Sequence, residues 1–260
     1  MKERNIVQSV VKAMKIFEEL AYNGAPLSLS RLSQRVDMNI STVHRLINTL
    51  VKLGYVMQNT EGYYCLGMHA YETADIINHN FDLRELVRPY LEEIQASCNE
   101  TTNLVVLEDN QVVYLDQVES TKMVRMFASV GSKGPAYSTG SGKVLLSYLS
   151  KKDLEEYINK TNFIKYTENT IVDPEKLKEE LAEIRKRGYA LDFEEMEKGV
   201  CCVAVPVIGK GGRLLGAISV SGPATRMTKE YMDQVLIPLV KGKAAEIRLK
   251  LEKGYRPINK

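Results

Sequence analysis

The chain has 260 residues, enough for one large domain or two modest ones with cores of their own. Hydrophobic residues make up 44% and charged residues 26%, a globular balance that excludes wholesale disorder. Lys and Arg number 35 against 33 Asp and Glu, so the net charge of +2 gives no global preference for nucleic acid, membrane or acidic substrate. A partner must be sought in local clusters. The four cysteines, Cys65, Cys98, Cys201 and Cys202, form no disulfide framework. The first ten residues are too polar for a secretory leader, and no apolar run approaches the ~18 residues of a membrane span. These features predict a reduced, cytoplasmic protein with no membrane partner.

In chain order, apolar residues at Val10, Met14, Phe17 and Leu20 follow helical spacing up to Asn23-Gly24. Ser28 is placed to cap a short helix burying Leu32 and Val36. A tight turn at Asp37-Met38-Asn39 follows, then a helix expected to be capped by Ser41, with Val43, Leu46, Ile47, Leu50 and Leu53 inward and Gly54 as its stop. Two short strand patterns flank Asn59-Thr60-Glu61-Gly62 and read as a hairpin. Helix, helix-turn-helix and hairpin form the winged helix-turn-helix order. Met68 to Asn78 predicts a linking helix, and Leu83, Leu86, Val87, Tyr90, Leu91 and Ile94 predict another. Beyond them strands and helices alternate, with strands expected at Thr102–Leu107, Val112–Val118, Met123–Ser129, Tyr189–Glu194, Cys202–Ile208 and Arg213–Ser221. Helices are expected at Ser138–Leu149 and Asp173–Arg187, and a long one from Thr228 that must kink or restart at Pro238. The fold class is α+β.

The second helix of the helix-turn-helix leaves Thr42, His44, Arg45, Asn48, Thr49 and Lys52 on its outer face, with no acid among them. These groups suit phosphates and base edges. Residues 24–60 carry four bases, Arg31, Arg35, Arg45 and Lys52, against the single acid Asp37. So small a local excess calls for a dimer reading two half-sites. Arg45 and Asn48 are the expected base readers, Ser41 and Thr42 the phosphate contacts, and Tyr63 a wing contact. Ser28, Arg31, His44 and Lys52 complete the expected DNA-binding set.

The stretch from Leu27 to Met68 resembles the DNA-binding domain of the IclR family of bacterial transcriptional regulators, above all in Ser41-Thr-Val-His-Arg-Leu46, Leu53-Gly-Tyr55 and Tyr64-Cys-Leu-Gly67. The resemblance continues through Gly131, Tyr137 to Leu146, Thr167 to Thr170, Ile184 to Ala190, Glu194-Glu195, Gly199 to Pro206 and Gly216 to Gly222, covering essentially the whole chain. It departs from the family at Asp37, where Gly is frequent, and at Ile40, where a basic or polar residue is common. The resemblance implies a GAF-like mixed α/β effector-binding domain and a homodimer or homotetramer. The expected division is 1–67 for the winged helix-turn-helix, 68–80 for a linker helix and 81–260 for effector binding and oligomerisation.

Two features of the second half suit a small ligand. Thr139-Gly-Ser-Gly142 opens a helix whose free N–H groups favour an anion. Ser219 and Ser221 are two apart on a strand, so both hydroxyls share one face. By the family resemblance, Gly140, Ser141, Asp192, Cys202, Ser219 and Ser221 line an effector pocket, and Asp192 suits the hydroxyls of a hydroxylated acid.

Enzyme motifs fail on spacing. Gly142-Lys143 lacks both the first glycine and the Ser/Thr of a phosphate-binding loop, and the glycines at 209, 211, 212 and 216 fall between strands rather than before a helix. Cys201 and Cys202 are adjacent, without metal or redox spacing, and His44, His69 and His79 leave the second half with no histidine. Glu194 and Glu195 are adjacent and poorly placed for paired acid–base work. The expectation is a regulator with no catalytic residues, cofactor or metal, whose partners are double-stranded operator DNA, a small effector and itself. Two alternatives remain open at this stage: a redox sensor or enzyme using Cys201 or Cys202, and a winged-helix protein-interaction module.

Overall fold

The computed structural model describes residues 6–73 and 83–253. The chain falls into two compact units, one within Met1–Phe81 and the other within Asp82–Lys260, each with its own core.

In the first unit, α1 (Gln8–Asn23) buries Ile16 and Leu20 and stops at Gly24, which takes φ 66°. A left-handed residue ends a helix because its N–H turns back to the last carbonyls. α2 (Leu29–Arg35) is capped by Ser28, whose hydroxyl oxygen accepts the Arg31 N–H at 3.3 Å. Asp37 turns the chain with φ 50°, a conformation its short polar side chain tolerates. α3 (Ile40–Lys52) then buries Val43, Ile47 and Leu50. Its N-cap is Asn39 rather than the expected Ser41: the helix begins two residues earlier, so Ser41 sits in the first turn. β1 (Val56–Gln58) and β2 (Tyr64–Leu66) pair antiparallel, and Leu27 bridges to Tyr64 beside them. The hairpin turn is closed by the Asn59 side chain, which accepts the N–H groups of Glu61 at 3.1 Å and Tyr63 at 2.8 Å. Residues 68–73 are helical, and the rest of the linker helix expected over 68–80 lies outside the described residues. Val10, Met14 and Leu53 stay exposed and, with Phe17, Leu46 and Tyr55, line a groove of about 800 Å³.

The second unit is built on a six-stranded sheet in the order β5-β4-β3-β8-β7-β6, with antiparallel neighbours throughout. After α4 (Leu83–Cys98) come β3 (Thr101–Glu108) and β4 (Gln111–Val118), joined by Asp109 and Asn110, both at positive φ. That pair of left-handed residues is the tight hairpin chemistry their identities suggest. The strand expected at Met123–Ser129 is absent. Carbonyls in that stretch are taken by side chains instead: Thr101 donates to Met126 O at 2.8 Å and Arg226 to Val124 O at 2.9 Å. The sheet edge beside β4 is β5 (Lys133–Pro135).

α5 (Gly140–Leu146), α6 (Lys151–Lys160) and α7 (Pro174–Arg187) follow, then β6 (Ala190–Phe193), β7 (Val200–Ile208) and β8 (Leu214–Pro223). The last described helix is α8 (Ile237–Glu252), entered through a short helix at Lys229–Tyr231 and a π-helical turn at Met232–Leu236. The backbone stays helical at Tyr231, Leu236 and Ile237, so the π-helical turn accommodates Pro238 in place of a full restart.

α5 and α7 pack on the sheet face that carries Val105, Ala204 and Ala217. α4 and α8 pack against β3 and β7 and against each other. A sheet covered on both faces reads as a continuous buried run rather than an alternating one. That is the character of β7, in which Cys201 to Val205 are all buried.

Candidate nucleic-acid interface and ligand pocket

On α3 the buried stripe consumes one face, which forces His44, Arg45, Asn48 and Lys52 outward, and all four are exposed. Ser41, Arg31 and the wing residue Tyr63 are exposed as well, whereas Thr42 and Ser28 are half-buried. Ser28 is already committed to capping α2. Asn48 Nδ2 lies 3.3 Å from His44 Nε2 one turn away, so the two outward polar groups are held together. Arg45 and Lys52 make no ion pair with a described residue. Arg35 differs: its guanidinium meets Glu19 at 2.7 Å, so one of the four bases counted in this region is neutralised from α1. The face retains donors and no acid, a surface suited to a polyanion.

In the second unit, strand register brings the expected ligand-binding residues into two rows across one sheet face. Asp192, Cys202 and Ser221 form one row, through the pairs Asp192↔Cys202 and Cys202↔Ser221. Ser219 stands opposite Ala204 on one side and Asn103 on the other, and Asn103 is in turn opposite Gln117. Over these rows lies the N-terminus of α5, capped by the Thr139 hydroxyl, which accepts the Gly142 N–H at 3.1 Å. A Cβ on Gly140 would stand 3.2 Å from Cys202 Sγ and 3.6 Å from the Asp192 Cβ, so glycine permits this close approach. Gly140, Asp192, Cys202, Ser219 and Ser221 therefore converge, Ser141 follows Gly140 on α5, and all six are buried.

The electrostatics of the site follow from that burial. Loss of solvent, reinforced by the nearby Glu195 carboxylate, lifts Asp192 to about 7, while Glu195 N–H donates to its Oδ1 at 2.8 Å. Burial also lifts the Cys202 thiol to about 12, with Asp192 adding to it, although the Ser221 and Ser219 hydroxyls favour the thiolate. Burial takes Cys201 to about 11 in the same way. At neutral pH both are thiols rather than nucleophilic thiolates, which weighs against the redox alternative. Tyr114, raised to about 12 by burial, also feels Cys202 and Asp192.

Four residues of this site escaped the motif reading. Asn103 is fully buried and donates to Ser219 Oγ at 3.3 Å and Ser221 Oγ at 3.5 Å. Gln117 Nε2 donates to Asn103 Oδ1 at 2.8 Å. The available signal was period two, because Asn103 shares its face with Val105 and is the odd amide there. The other two are Lys143 and Glu195, which form a buried ion pair across α5 and the β6–β7 turn. Nothing local announced it. Burial outweighs Lys143 and pushes the Glu195 carboxyl upward. Among the described residues, no group of three His, Cys, Asp or Glu side chains is arranged to hold a metal, and no helix is long and apolar enough to cross a membrane.

Asp192 has a pH signature. An exposed Asp gives up its proton near 4, whereas folded Asp192 keeps it to about 7. The native state binds the extra proton in that window, so unfolding free energy falls as pH rises through it, by at most about 1.4 kcal/mol per pH unit from this group. Below ~4 both states are protonated, and above ~7 the loss is complete. Asp192→Asn is expected to flatten this slope, gaining on wild type toward alkaline pH in denaturant titrations. Parallel pH profiles for the two proteins would refute the assignment.

Comparison with known proteins places both units. A family model described as "Bacterial transcriptional regulator IclR C-terminal" matches residues 76–248, and one described as "IclR helix-turn-helix domain" matches residues 9–60. The acetate operon repressor of Salmonella typhimurium is 34% identical over 246 residues, covering 94% of this chain and 89% of the repressor. The crystal structure of the Thermotoga maritima IclR protein superposes with a TM-score of 0.63 at 33% identity, covering 95% of this chain and 99% of that one. The inducer-binding domain of an Acinetobacter PobR double mutant, solved with 3-hydroxybenzoic acid, aligns at 30% identity and TM-score 0.61 over 65% of this chain and 98% of that one.

Proposed function

Because the chain belongs to the IclR family of bacterial transcriptional regulators, we propose that it is a repressor whose second unit senses a small carboxylic or sugar acid. The single observation that carries the sensing part is the buried convergence of Asp192, Cys202, Ser219 and Ser221 beneath the α5 N-terminus at Gly140. A cluster of polar groups in a core is costly unless each group is hydrogen-bonded, within the protein or to a ligand. Here the hydroxyls and the helix N-terminus supply donors, which match the acceptor oxygens of an acid. The acid bound by the PobR double mutant is of this class, and the Salmonella relative is named a repressor.

On this reading α3 enters the major groove with Arg45 and Asn48 toward base edges, while Ser41 and Thr42 meet phosphates and Tyr63 the flank. Each subunit brings few charges, so useful affinity requires two or more copies on a pseudo-palindromic site. The exposed apolar groove lined by Val10, Met14 and Leu53 is a surface that self-association would cover. The effector acts by binding one arrangement of the oligomer better than another, since equal affinity would shift nothing.

A thermal-shift titration with lactate, 3-hydroxybenzoate and gluconate tests the sensing site. A ligand present at 100 times its dissociation constant stabilises by about 2.7 kcal/mol. The Ser219→Ala/Ser221→Ala variant is expected to stay flat with an acid that shifts wild type. An unaltered shift in the variant would remove these serines from the ligand site.

A further inference from the structure

We infer that Asn103, clamped by Gln117, sets the polarity of the ligand pocket: it fixes Ser219 and Ser221 as hydrogen-bond donors and so selects a ligand that presents acceptors, a carboxylate over its amide. The inference rests on the acid-sensing reading above and specifies how the acid is recognised.

A primary amide has two N–H donors and one carbonyl acceptor. The acceptor of Asn103 is taken by Gln117 Nε2 at 2.8 Å. Its Nδ2 therefore faces β8, where one hydrogen serves Ser219 Oγ at 3.3 Å and the other Ser221 Oγ at 3.5 Å. A serine oxygen that accepts from an amide keeps its own hydrogen to give elsewhere. Cys202 stands opposite Ser221 in the neighbouring strand, and its thiol feels both hydroxyls. Sulfur is a weak acceptor. Two hydroxyl donors beside a weak acceptor suit the oxygens of a carboxylate, whose hydrogen bonds are about twice as strong as neutral ones.

The same arrangement disfavours the amide of the same acid. An amide offers one acceptor oxygen in place of two, and its NH2 hydrogens must share serine oxygens that already accept from Asn103. Asn103 and Ser219 are among the least exposed polar residues of the unit, so water cannot easily relieve that mismatch. Asn103 is a positioning residue for the serines. Its effect appears as a preference between ligands, which a merely structural role would leave unchanged.

The test compares each acid with its primary amide: lactate with lactamide, 3-hydroxybenzoate with 3-hydroxybenzamide, and gluconate with gluconamide. Calorimetry or thermal shift on the full-length protein gives the ratio of amide to acid dissociation constants. Wild type is expected to favour an acid by about tenfold or more. Asn103→Leu, which adds no charge, is expected to bring the ratio toward one. Asn103→Asp turns both hydroxyls onto its own carboxylate, exposes their oxygens as acceptors, and is expected to invert the preference. Gln117→Leu releases the clamp from a half-buried position and lowers the ratio even if the Asn103 variants do not fold. A wild-type ratio in every folded variant overturns the inference while leaving the acid-sensing reading intact. If wild type binds none of the three acids, that reading fails and the inference with it.

Discussion

Arg45→Ala is expected to remove most of the specific operator affinity while leaving the protein folded. The side chain is exposed on the outer face of α3 and pairs with no acid among the described residues, so truncation costs little in the free protein. On DNA, an Arg making two hydrogen bonds to a guanine edge provides about 1–3 kcal/mol of discrimination. A dimer carries two copies, so the loss is about 2–6 kcal/mol, or roughly 30-fold to more than 10⁴-fold in affinity. The substrate for the measurement is a duplex enriched from a random-sequence library by the wild-type protein, titrated at ~0.15 M salt. Lys52→Ala is the control: as a phosphate contact it is expected to weaken all duplexes alike and to reduce the salt slope. Unchanged binding by Arg45→Ala would take α3 out of the major groove. Arg35, tied to Glu19 at 2.7 Å, is expected to matter much less than its charge suggests.

The first unit was almost fully legible because its determinants are local. The stop at Gly24, the Ser28 cap, the left-handed Asp37 and the Asn59 turn each act within a few residues of themselves. The misplaced cap shows the limit of that legibility: Ser41 and Asn39 are both good capping residues, and only backbone geometry chose between them. Around the ligand site, Ser219 and Ser221 declared themselves through spacing on one strand. Asn103 and Gln117 did not, because their meaning depends on the antiparallel register of β4, β3 and β8, with partners up to 118 residues apart. The stretch from Met123 to Ser129 carries apolar residues suited to a strand, yet Thr101 and Arg226 capture its carbonyls. Tertiary competition of this kind leaves no local pattern.

Lys143 is the residue whose significance changed most between sequence and structure. Gly142-Lys143 is no phosphate loop, and the lysine instead points inward from α5 to Glu195, with 1% of its surface exposed. Lys143→Met is expected to destabilise the second unit by about 3–5 kcal/mol, because it strands a buried carboxylate without its partner. Glu195 is poorly equipped to bear that loss, since its Oε2 has no hydrogen-bond partner among the described residues even with the lysine present. Lys143→Met/Glu195→Leu is expected to recover most of the loss, as apolar replacements of buried pairs commonly do. Denaturant unfolding at neutral pH reads both variants. The same experiment reaches the ligand site, because Lys143 is the cation that holds down the Asp192 titration against burial and Glu195. With the lysine gone and Glu195 retained, Asp192 is expected to keep its proton to still higher pH. A single-variant cost below ~1 kcal/mol would mean that the pair is solvated. The water would then enter through the cavity of about 410 Å³ that both residues line together with Asn169, Glu180 and Arg187. In that case the cluster behind Asp192 is wet, and its proton is shared with solvent rather than kept for the ligand.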